Sequence, residues 1–139
     1  MRPTNRRGCG LLGGGLVLLA VAVAAVLGPA LLAAPLVLAQ VGLLGVAGAL
    51  DLVAAFENPL TARVDWFRLG GLANVALGLA LPVGVLDWGL ESGAEGTFLL
   101  VAMALGGLSL VAIGADLFLY AGTHVYGRRV DADGEVSAE

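Results

Sequence analysis

The sequence has no lysine, one cysteine, one histidine and one isoleucine, and only 13% of its 139 residues are charged. Each shortage excludes something. Without lysine no retinal Schiff base can form. With His124 as the single histidine, the chain cannot hold a transmembrane haem between two of its own imidazoles. With Cys9 alone there is no internal disulfide and no cysteine cluster for zinc. There is no phosphate-binding glycine loop, no nucleophile elbow and no zinc-ligand spacing. The footprint of a nucleic-acid binder is missing too. The sequence therefore predicts no enzyme activity, no metal and no cofactor.

Hydrophobic residues make up 59% of the chain, in long uninterrupted runs rather than amphipathic stripes. That pattern belongs to segments surrounded by lipid. The first run, from Gly10 to Phe56, is too long for one span of roughly 20 residues. Pro29 and Pro35 near its middle predict a hairpin turn, because proline breaks the helical hydrogen-bond ladder. Four spans follow: about 11–27, 36–56, 69–86 and 97–120. The fold expected is all-α, an integral membrane four-helix bundle made of two helical hairpins, occupying residues 1–126. Residues 127–139 are expected to form a disordered acidic tail.

All seven basic residues are arginines, and they decide the orientation. Four spans put residues 1–10, 57–68 and 121–139 on one side, and those segments hold every Arg. The other side receives 28–35 and 87–96, with Asp87, Glu91 and Glu95. Positively charged loops stay in the cytoplasm, so a cell-membrane protein with both termini cytoplasmic is expected. Phe56, Trp66, Phe67, Tyr120 and Tyr126 then fall at the inner interface, and Trp88 and Phe98 at the outer one, where amphipathic rings settle. A short interfacial helix is expected to start near Thr61. Arg6-Arg7 and Val37-Leu38-Ala39 faintly resemble a cleaved leader, but the apolar run far exceeds a signal core of about 7–15 residues.

The hairpins resemble each other in letters. Gly14, Gly15, Leu16, Ala20, Ala24 and Gly28 match Gly70, Gly71, Leu72, Ala76, Ala80 and Gly84 at an offset of 56. Gly42, Leu43, Val46, Ala47, Asp51 and Leu52 match Gly107, Leu108, Val111, Ala112, Asp116 and Leu117 at an offset of 65. This predicts an internal duplication. The residues Ala20, Ala24 and Gly28, and Ala76, Ala80 and Gly84, are spaced by four, which makes them helix-packing faces where small side chains let backbones approach.

Polar residues within the spans are rare: Gln40, Asp51, Asn74, Ser109 and Asp116. Asp51, Asn74 and Asp116 fall near one depth, toward the Arg-rich side. A carboxylate in the bilayer centre costs about 2.5–3.5 kcal/mol, less near an interface, so each needs a partner or a proton. Asn74 and Arg68 are the expected partners. Two functions are thus expected from the residues. In the first, the protein is a small non-enzymatic membrane component that packs with itself or with another membrane protein, its other partner being the lipid bilayer. In the second, Asp51, Asp116, Asn74 and Arg68 form the layer of a minimal proton- or cation-coupled transporter or channel.

Overall fold

The computed structural model describes residues 3–126, 129–130 and 136–137. Four of its helices are long and apolar enough to cross a membrane. Helix α1 runs Pro3–Leu27 and passes through a 3-10 turn, Gly28–Ala33, into α2, Pro35–Ala55. Prolines at the start of the 3-10 turn and of α2 occupy positions where a missing N–H costs nothing. A loop leads to α3, Trp66–Val83, and a short α4, Leu86–Glu91, precedes the long α5, Gly93–Tyr120. The four-residue α6, Thr123–Tyr126, follows. Beyond it, Arg129–Val130 pairs antiparallel with Val136–Ser137. The rest of the expected disordered tail lies outside the described residues.

Several boundaries differ from the sequence expectation, each for a local reason. Helix α3 keeps Pro82 in its last turn. The interfacial helix expected near Thr61 is instead a turn: the Ala62 N–H bonds to the Asn58 carbonyl and the Val64 N–H to the Leu60 carbonyl, and α3 begins only at Trp66. The segment 87–96, expected to be a loop, is mostly helical, as α4 and the first turn of α5.

Helix α1 packs on α2, α2 on α3, and α3 on α5, while α1 and α5 are not packed against each other. The expected bundle is thus an open row, with one long helix exposed at each end. Its interior is made mostly of small residues: Ala47 and Ala80 are 0% and 1% exposed, and Ala20, Ala54, Ala73 and Ala76 are buried, with Leu31, Phe67 and Leu69 as larger buried side chains. The large aliphatic side chains point outward, among them Leu11, Leu18, Val26, Leu105 and Leu108.

Close glycine contacts set the hairpins. A methyl added at Gly48 would lie 2.8 Å from the Gly13 carbonyl oxygen and 2.9 Å from the Val17 side chain. The second hairpin repeats the contact: a methyl at Gly114 would meet the Gly71 carbonyl and lie 2.9 Å from the Val75 side chain. It then repeats it again seven residues on, where a methyl at Gly78 would lie 2.5 Å from the Gly107 carbonyl oxygen. Residue 82 is proline, so the Gly78 carbonyl cannot accept the helical bond from that position. Gly107 packs against that same oxygen, the geometry in which a Cα–H group serves as a weak substitute donor.

These crossings equate Gly13 with Gly71, Val17 with Val75 and Gly48 with Gly114, at offsets of 58 and 66. The letter matches run at 56 and 65. In the contact register Asp51 stands opposite Leu117, not Asp116: Gly13 meets the Asp51 Cβ where Gly71 meets the Leu117 Cβ.

Candidate functional site

The side chains proposed from sequence do not share one site. Asp116 belongs to the last turn but one of α5 and is 7% exposed. Just beyond it the chain reverses: Ala121 and Gly122 take positive φ, 54° and 78°. Only this left-handed turn brings residues 122–125 back over the helix end. The Asp116 backbone carbonyl accepts the Gly122 N–H at 3.2 Å. Its side chain takes the rest: Oδ1 accepts from His124 Nδ1 at 2.8 Å and from the His124 N–H at 3.3 Å, and Oδ2 accepts from the Val125 N–H at 2.9 Å. The two backbone donors are orphans of the first turn of α6, which Asp116 caps from eight and nine residues upstream. A carboxylate only accepts, so His124 carries its proton on Nδ1. The ring is otherwise exposed and lies edge-on to Tyr120, 4.8 Å between centroids.

Asp51 has the opposite surroundings. It is 6% exposed, and among the described residues it has no hydrogen-bond or ion-pair partner. It sits where α2 crosses α1, its Cβ against Gly13. Arg68 reaches neither aspartate: it lies 3.8 Å from Asp65, on an exposed edge of α3. Asn74 is half-buried and makes no hydrogen bond to either carboxylate. Among the described residues no group of three or more metal-ligating side chains comes together.

The small-residue faces divide. On α1, Ala20 and Ala24 share the face of Gly13 and Val17, which meets α2. On α3, Ala76 and Ala80 lie opposite Gly71 and Gly78, on the side away from α5. The same side carries Gly84, which meets the Gln40 side chain of α2. Gly28 and Gly84 stand just past their helices, Gly28 at φ 53°. The first set therefore closes a hairpin and the second joins the two hairpins.

One polar network was not anticipated. Asn58 Oδ1 accepts the N–H groups of Leu60 and Thr61 at 2.9 and 3.1 Å, and Nδ2 donates to the carbonyls of Val53 and Phe56 at 2.8 and 2.9 Å. Thr61 Oγ1 in turn accepts the Asn58 N–H at 2.9 Å. This closes the end of α2 and stiffens the following loop. The Asn58-Pro59 dipeptide is its sequence signal.

No curated protein and no solved structure matches the chain. A family model does, over residues 4–129, which take in all the elements from α1 to α6 almost entirely. The chain belongs to a family of unknown function, DUF7994.

Proposed function

We propose that this chain is a multi-pass protein of the cell membrane, both termini cytoplasmic, that works without catalysis by packing with itself or with another membrane protein. Small residues inside and large aliphatic ones outside suit lipid, where burial from water no longer drives helices together and close backbone contact does. The distribution of the seven Arg supports the orientation. Cysteines placed at Arg63 and Glu91 in a Cys9→Ser background should label from opposite faces of intact cells; labelling of both from outside would reverse that view.

The observation that carries the packing role is the open row. Helices α1 and α5 each have one long neighbour, and the best-bonded acidic side chain, Asp116, is used up in holding a helix end. Purification in mild detergent should yield a stable oligomer or a stoichiometric membrane partner. A monodisperse monomer without a partner would count against the proposal. The second reading, a proton or cation site, keeps one supporting observation: Asp51 is buried with no hydrogen-bond or ion-pair partner among the described residues. It no longer has a layer, since Asp116, Asn74 and Arg68 are not gathered around it.

A further inference from the structure

At the Arg-rich end of α2 the surface has an open apolar hollow of about 550 Å³, lined by Leu52, Val53, Phe56, Asn58, Pro59 and Leu60. Asn58 is its single polar lining residue, and all of its amide's hydrogen bonds drawn above go to the chain itself. The hollow therefore offers hydrocarbon contact and no polar group seeking a partner. Its walls are fixed by the Asn58–Thr61 network, and Phe56 and Leu60 stand exposed on its rim. Arg63 belongs to the same turn, its N–H bonded to the Leu60 carbonyl at 3.0 Å. Its side chain is exposed and has no ion pair among the described residues. The two acidic residues of this loop are both engaged, Asp65 with Arg68 at 3.8 Å and Glu57 with another group.

We propose that this hollow and Arg63 together bind one anionic phospholipid, an acyl chain in the hollow and the phosphate at the guanidinium. The inference rests on the membrane location argued above, but not on association with a partner. An apolar surface alone would take any lipid. The Arg63 cation one turn away, unpaired among the described residues, is what selects the headgroup, because a guanidinium matches phosphate in charge and in its fork of donors. Zwitterionic lipids present the same phosphate with a compensating cation, so they gain less.

The test is native mass spectrometry of the full chain from micelles doped with equal amounts of phosphatidylglycerol and phosphatidylcholine. Phosphatidylglycerol should be retained roughly fivefold over phosphatidylcholine, the ratio for about 1 kcal/mol per basic residue at a membrane surface. Arg63→Gln should bring the ratio to about one while some lipid is still retained. Phe56→Ala should lower retention of both lipids. Raising the ionic strength to roughly 1 M, where screening acts within about 3 Å, should erase the preference in the unmodified protein. Equal retention of the two lipids by the unmodified protein would overturn the proposal, as would a preference that survives Arg63→Gln. Loss of all lipid would contradict the membrane location itself, whereas a monomer that keeps the preference would leave this site standing and remove only the packing role.

Discussion

The two hairpins use the same contact to different depth. The first has one glycine crossing, Gly13 on Gly48; the second has two, Gly71 on Gly114 and Gly78 on Gly107. The first carries at that crossing a buried aspartate with no hydrogen-bond or ion-pair partner among the described residues; the second ends in an aspartate whose two oxygens hold three donors. The second hairpin is thus pinned at both ends of its interface and clamped at its foot, whereas α1 hangs on one crossing and a stripe of alanines. The difference locates adaptability in α1, the helix that carries the two most exposed large hydrophobic side chains among the described residues, Val26 and Leu11.

The comparison breaks most visibly at the glycines. Gly48→Ala puts a methyl within 2.8 Å of a backbone oxygen that cannot move aside cheaply. It should cost ~1–3 kcal/mol, the usual range for overpacking. Because no second crossing holds α1, hydrogen exchange should rise through α1 selectively. Gly78→Ala should cost a similar amount, yet leave α3 and α5 paired through Gly71 and Gly114. Equal loosening of both hairpins would refute the difference.

A smaller effect separates the alanines. Ala80 is 1% exposed between the hairpins, whereas Ala24 is half-buried on α1. Ala80→Leu should therefore lower thermal stability in detergent more, by ~1–3 kcal/mol against less than about 1 for Ala24→Leu. The reverse order would place the main joint within the first hairpin.

Asp116→Ala removes three hydrogen bonds and leaves two part-buried N–H donors without that partner, on residues that are themselves exposed, so the cost should fall below the roughly 1–3 kcal/mol of a buried unmet group. The loss should be local: proteolysis and exchange should quicken at residues 121–126 while the four long helices keep their stability. Global unfolding would show that the clamp holds more than the helix end. Smallest of all is Gly14→Ala. A methyl there meets nothing within 4 Å, so the gain in helix propensity, up to about 1 kcal/mol, should show as slightly raised stability.

Much of this was legible in the residues. Uninterrupted apolar runs and the two prolines gave the four long helices and the first turn, because length and chain breaks are one-dimensional properties. The packing register was not. Ala76 and Ala80 match Ala20 and Ala24 in letters but lie on the opposite side of their helix relative to its glycine contacts, and nothing local in a Gly/Ala-rich run says which small face meets which neighbour. The Asp116–His124 bond was hidden for a different reason. Eight residues along a helix would place the two about 12 Å apart. The left-handed turn at Ala121 and Gly122 brings the His124 ring back to within 2.8 Å of the Asp116 carboxylate. Gly122 followed by Thr123 was its available sign, a helix stop before a helix start. Arg68 was given to the aspartates because of its charge; Asp65, three residues upstream at the N-cap of α3, was the nearer claim.

We propose that the molecule works by association and not by moving ions, with Asp116 holding a helix end. Proton flux into vesicles holding the purified chain, driven by a pH gradient and followed with an enclosed pH-sensitive dye, tests it most directly. Vesicles holding the unmodified chain and those holding Asp51→Asn should both leak protons at the rate of protein-free vesicles. A gradient that collapses with the unmodified chain and survives with a folded Asp51→Asn variant would contradict it.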